Sequence, residues 1–170
     1  SAPLGTVGAK CAGSDMTANS QQQENQPGYL SPELDRMSCD MMGEFLDALA
    51  EGDVPGVVAC VEDAGGNRAA VAFSEDGDEA CLNAADDFVV SAGRNGSPED
   101  GVGPAVRYAI LYLGCIQEMD GAYNDAMITV FGEKGSASAY SAFTLVKGMG
   151  QGENFMWSDP EPAGEEQLLL

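Results

Sequence analysis

Just after residue 30 the apolar positions recur with a helical period. Leu34, Met37, Met41, Phe45 and Leu49 stand three or four apart and make one stripe. Ser31 suits the N-cap, Pro32 fits the first turn, and Glu33 and Asp35 favour the positive end of the helix. Gly52 and Pro55 close it. The period then changes. Val57-Val58-Ala59-Cys60-Val61 and Ala69-Ala70-Val71-Ala72-Phe73 read as paired strands, joined by Asp63-Ala64-Gly65-Gly66-Asn67. Small residues on one face of the second strand would let a helix approach closely. A second helix is expected from Asp78, with Cys81, Leu82, Ala85, Phe88, Val89 and Ala92 on one side and Gly93 as its stop.

The most apolar stretch, Pro104–Met119, predicts a third helix. Val106, Ile110, Leu113 and Ile116 line one side, and Tyr108, Leu111, Tyr112 and Cys115 cover much of the rest. A helix apolar nearly all round belongs in a core or an interface. Ala126–Phe131 reads best as a strand, because Ile, Thr, Val and Phe suit a pleated surface, with a helix extended from near Tyr123 as the competing reading. Ser136 would cap a last helix through Tyr140, Phe143 and Lys147, with a strand across Tyr140–Val146 as the competing reading. The expected fold class is therefore α+β. A helix–β-hairpin–helix core is followed by a buried apolar helix and mixed elements.

Two arms flank that core. Residues 1–29 carry no periodicity and include the polar run Ser20–Gln26. Such a segment alone buries too little apolar surface to offset its ordering entropy. Residues 148–170 are polar and acidic but hold Phe155-Met156-Trp157 and end in Leu168-Leu169-Leu170. Residues 30–147 are the expected single domain.

Charge narrows the partners. The 170 residues carry 28 acidic and 7 basic side chains and no histidine, for a net charge of -21. Most carboxylates must lie in water, since an unpaired buried charge is costly. Such a surface repels phosphate backbones and anionic lipids, so nucleic acid is not an expected partner. Basic proteins and cations are attracted. No apolar run approaches the roughly 20 residues of a membrane-spanning helix. Direct membrane insertion is accordingly not expected. The five cysteines are widely spaced, with no Cys-x-x-Cys pair, which predicts a reducing compartment or at most one disulfide. The first residues, Ser-Ala-Pro-Leu-Gly, fit a mature form after loss of Met or of a targeting segment.

Little in the motifs points to catalysis. Without histidine, Ser-His-Asp and Cys-His mechanisms are excluded within the chain. Gly148-x-Gly150-x-Gly152 lacks the strand and helix of a phosphate loop and reads as a flexible tail. Glu75-Asp76-Gly77-Asp78-Glu79 misses the EF-hand spacing and reads as a solvated turn. No cofactor or metal is expected. The candidate protein interface is Tyr29, Leu30, Phe155, Met156, Trp157, Leu168, Leu169 and Leu170, because aromatic, Met and Leu residues in a polar arm need a surface to cover. The expected function is a non-catalytic subunit of a larger protein assembly, such as a viral or phage particle or an organellar complex, contacting other subunits through its arms. The alternatives are a free acidic module that binds basic proteins or cations, and a small carboxylate-dependent enzyme.

Overall fold

The computed structural model describes residues 30–74, 77–117 and 119–170. Helix α1 spans Pro32–Ala50 and helix α2 spans Asp78–Asn95. The strands are β1 (Val57–Asp63), β2 (Arg68–Phe73), β3 (Ala105–Gln117), β4 (Tyr123–Glu133), β5 (Ala139–Lys147), β6 (Met156–Trp157) and β7 (Glu161–Glu166). They form one curled antiparallel sheet in the order β2-β1-β3-β4-β5-β6, with β7 also on β5. Strands β6 and β7 share the outer edge of β5. Trp157 lies opposite Val146, and Glu161 opposite Phe143.

This architecture corrects the expected fold class. The chain is a half-barrel sheet with two helices, not a helix–hairpin–helix core followed by a buried helix. Residues 105–117 are the central strand β3, paired on both edges. A segment apolar on every side satisfies a strand buried on both faces as well as a buried helix. Here both helices pack on the sheet, so both faces of β3 are covered. Residues 139–147 likewise take the strand form, with β4 on one edge and β6 and β7 on the other.

Each face of the sheet has its own core. On one face, α1 lays Leu34, Met37, Phe45 and Leu49 against Cys60, Ala109, Leu111 and Met127. On the other, α2 lays Cys81, Ala85, Val89 and Ala92 against Ala59, Val61, Tyr108 and Ile110. Leu168, Leu169 and Leu170 finish that second layer. Gly132 and Gly93 make room for them. A Cβ on Gly132 would stand 2.8 Å from Leu168 Cδ1 and from the ring of buried Tyr108, and one on Gly93 would stand 2.7 Å from Leu170 Cδ2.

Side chains on the α1 face also carry a row of charges across four strands. Arg68 of β2 lies opposite Glu62 of β1, Glu62 opposite Arg107 of β3, and Arg107 opposite Glu133 of β4. Arg68 Nε donates to Glu62 Oε2 at 2.5 Å, Arg107 Nη1 to Glu62 Oε1, and Arg107 Nε to Glu133 Oε2 at 3.0 Å. Helix α1 closes both ends of the row. Asp40 Oδ2 accepts from Arg68 Nη1 at 2.9 Å, and Ser31 Oγ donates to Glu133 Oε2 at 3.0 Å. The same Ser31 oxygen caps α1 by accepting from the Leu34 amide at 3.0 Å. At the end of β1, Asp63 takes amide hydrogens from Gly65, Asn67 and Gly103, which hold its carboxyl down at about 2.

The Glu62 side chain is only 6% exposed. Removing one partner from a buried, fully bonded ion pair leaves the other charge uncompensated. We expect Glu62→Gln to lower the free energy of unfolding by about 3 to 5 kcal/mol in a denaturant titration. Ser31→Ala is expected to cost about 1 kcal/mol. Equal losses for the two variants would show that the row carries no special weight.

Candidate functional site

Helix α1 does not cover its whole face of the sheet. Beside its first three turns, a cleft of about 490 Å³ lies between α1 and the strands β4, β5 and β7. One flank of the helix supplies Asp35, Ser38, Cys39 and Met42, at the spacing that puts residues on neighbouring turns of one side. Phe131, Tyr140 and Ala142 come from the sheet. Pro160, Pro162 and Gly164, together with Glu161 and Glu165, make the outer wall.

The outer wall owes its form to its sequence. Pro160 and Pro162 have no backbone N–H, and proline is tolerated on an edge strand. The pairing of β7 with β5 shifts between Ser141 and Ala142, opposite Gly164 and Pro162. Ser141 Oγ ties the wall to the sheet, at 3.1 Å from Glu166 Oε2 and 3.4 Å from the Gly164 carbonyl.

Two polar groups on the helix side are unusual. The Ser38 hydroxyl is buried, in a residue 4% exposed, and has no hydrogen-bond partner among the described residues. A buried hydroxyl without a partner carries a desolvation cost of about 1 to 3 kcal/mol. The second is Asp35. Burial pushes its carboxyl up to about 6, offset in part by Cys39 Sγ, which donates to Oδ1 at 3.8 Å. Both groups are set in a wall of Leu30, Met42, Phe131 and Ala142 side chains. Tyr140 adds a hydroxyl and Glu165 a carboxylate on the same face. No Lys, Arg or His is among the described residues lining the cleft.

The residues expected to form a protein interface are dispersed. Tyr29 lies outside the described residues. Leu30 lines the cleft and packs against the α1-side core. Phe155 and Trp157 are buried within the same domain, their rings stacked with centroids 6.0 Å apart, while Met156 is 40% exposed. Leu168, Leu169 and Leu170 are half-buried on the α2 side. Gly150 of the glycine run donates to the Leu49 carbonyl at 2.9 Å, so this turn closes the end of α1. Glu75 and Asp76 of the acidic turn lie outside the described residues, while Asp78 begins α2. Among the described residues no group of three or more acidic or cysteine side chains forms a metal cage. Cys39, Cys60, Cys81 and Cys115 are thiols.

Sequence reading passed over Asp35, Ser38 and Cys39 as parts of an amphipathic helix. A signal was present, for all three adjoin the apolar stripe rather than the far side of the helix. What lay across from them depended on where α1 met the sheet. Comparison with family models, with characterised proteins and with solved structures gives no match. The geometry alone therefore bears on function.

Asp35 has a sign that can be checked. Its folded value lies above the ordinary 3.8, so folding disfavours the ionised form. The cost is present above pH 6, shrinks as pH falls through about 6, and is absent below 3.8. Asp35→Asn is expected to raise stability at pH 8 by on the order of 1 kcal/mol, discounted for partial exposure. The gain should be gone at pH 4, as read by urea denaturation at both pH values.

Proposed function

We propose that this chain is a non-catalytic binding domain whose α1–β5–β7 cleft takes a small ligand with an apolar body. The observation that carries this reading is Ser38. A side chain buried without a hydrogen-bond partner lies in the wall of an apolar cleft, where a ligand's polar group would satisfy it. The cleft volume of about 490 Å³ falls within the range of small-molecule sites. Asp35 supports the same reading, since a half-buried carboxyl that lowers stability is a common mark of a functional position. The reading is non-catalytic because, among the described residues, no base stands within hydrogen-bond reach of the Ser38 hydroxyl to activate it. It is a binding reading, as was the composition-based alternative of an acidic module for basic proteins or cations, but with a small-molecule partner.

An uncharged naphthylamine dye, N-phenyl-1-naphthylamine, tests the cleft directly. Its fluorescence is expected to rise on mixing with the protein. Ala142→Phe, which fills the cleft from β5, should abolish the rise while circular dichroism stays unchanged. An undiminished rise with the folded variant would put the dye elsewhere and remove the reading.

The assembly-subunit reading keeps one independent support. Beyond Gly114 the β3–β4 hairpin continues as a two-stranded ribbon, with no further strand on either side among the described residues. Met119 and Tyr123 at its end are fully and 70% exposed, which fits a protein contact. Under this reading the chain sediments as an oligomer, and Met119→Ser with Tyr123→Ser returns it to a monomer. A wild-type monomer at all accessible concentrations would discard it.

A further inference from the structure

The ligand class follows from which charges line the cleft. Two carboxyl-bearing residues line it from its two sides with their side chains on the α1 face, Asp35 of α1 and Glu165 of β7, which stands opposite Tyr140. The residues between them are apolar or carry hydroxyls, and none of the described lining residues is a cation. The rows of the fold account for much of this. Arg68 and Arg107, two of the seven basic residues in the chain, are held by Glu62, Asp40 and Glu133. They therefore lie in the charge row and not among the cleft residues.

We propose that the cleft selects cationic amphiphiles, ligands that join an alkyl or aryl body to a protonated amine. This rests on the binding-domain reading above. The amine would sit beside the Asp35 carboxylate, with Glu165 on the outer wall. Ser38 Oγ, as a hydroxyl, would accept one ammonium hydrogen. The apolar body would lie on Leu30, Met42, Phe131 and Ala142. An ammonium group brings three donors and no acceptor, which matches a site offering carboxylate and hydroxyl oxygens. A carboxylate or phosphate ligand would instead meet the like charges of Asp35 and Glu165.

The same arrangement gives the binding a pH dependence. The titratable groups that line the cleft with Asp35 on this face are Cys39 on its own helix, Tyr140 on β5 and Glu165 on β7. Burial raises the Asp35 carboxyl to about 6. Alkyl amines stay protonated across the range from pH 5 to 8, so the change in attraction comes from the protein.

The experiment displaces the naphthylamine dye with decylamine, decanol or decanoate at pH 7.5 and physiological salt. These share a chain and differ in charge. Decylamine is expected to displace at a concentration about tenfold below decanol, and decanoate above decanol. Asp35→Asn should reduce the amine's advantage over decanol severalfold and leave decanol unchanged. Glu99→Gln, an exposed carboxylate outside the cleft, controls for the overall charge and should change nothing. In the wild type the amine's advantage should shrink as pH falls from 7.5 to 5. Equal displacement by all three compounds would overturn the cationic class while leaving the cleft reading intact. An amine advantage that survives Asp35→Asn and falls with Glu99→Gln would do the same, assigning it to the general surface field. If the dye does not bind, or none of the three displaces it, the cleft reading falls and this inference falls with it.

Discussion

A single row of alternating charge fixes both the register of four strands and the seat of the first helix. Arg68, Glu62, Arg107 and Glu133 stand directly opposite one another along β2, β1, β3 and β4. A shift of one residue in any of these pairings would turn every side chain on the moved strand to the other face. It would also bury charges without partners, a penalty well beyond what one apolar contact returns. The row therefore excludes wrong registers more strongly than the apolar pattern does. That matters here, because β1 and β3 are apolar on both faces and would tolerate a slip by hydrophobicity alone. Helix α1 is held at two points along the same row, by Asp40 on Arg68 and by Ser31 on Glu133. Between those points its Asp35 and Ser38 are set over the far side of the sheet. The cleft is thus a consequence of where the charges anchor the helix.

The C-terminal segment completes both layers of the molecule. Phe155 and Trp157 enter the core under α1, β7 makes the outer wall of the cleft, and Leu168 and Leu170 lie over Gly132 and Gly93 on the α2 side. The apolar clusters that looked stranded in a polar tail bury their surface within their own chain. The edge strand formed in passing is short, proline-containing and acidic, features that blunt pairing with another chain. The exposed ribbon end at Met119 and Tyr123 has none of this protection from the rest of the fold.

Legibility followed the range of the interactions. Helix α1 was readable because its cap, its stripe and its stop all lie within about twenty residues of sequence, and the β1–β2 hairpin because its turn chemistry is local. Helix α2 showed its apolar stripe, but it has no side-chain cap and runs past Gly93 to Asn95. Strand β3 was not readable, because burial on both faces erases the alternation that tells a strand from a helix, and its thirteen residues are long for a strand. Segment 139–147 took its form from β4 on one side and from β6 and β7 on the other, and the last two follow it in sequence. The charge row was invisible for the same reason. Glu62 and Arg107 are ordinary charged residues until the register sets them face to face, 45 positions apart. Of the candidate site, the sequence held the helix flank Asp35, Ser38 and Cys39, but not the wall across from it.

The bulk acidity of the chain takes on a more specific meaning in this setting. A net charge of -21 is mostly a matter of solvated carboxylates, and as such it speaks to which partners are repelled. Asp35 is different in kind. It is half-buried against apolar side chains, its ionised form is disfavoured by folding, and its helix position would accept an amide of the same shape. Its place in the first turn of α1 suits the helix dipole, but unlike the buried Glu62, which two guanidinium groups neutralise, it forms no ion pair among the described residues. A position that costs stability and forms no ion pair among the described residues is accounted for when the partner comes from outside the chain. The unsatisfied Ser38 hydroxyl one turn further along the same helix flank makes the same demand in uncharged form. Two independent deficits opening on one apolar cleft are better explained by a ligand that meets both than by two separate defects of packing.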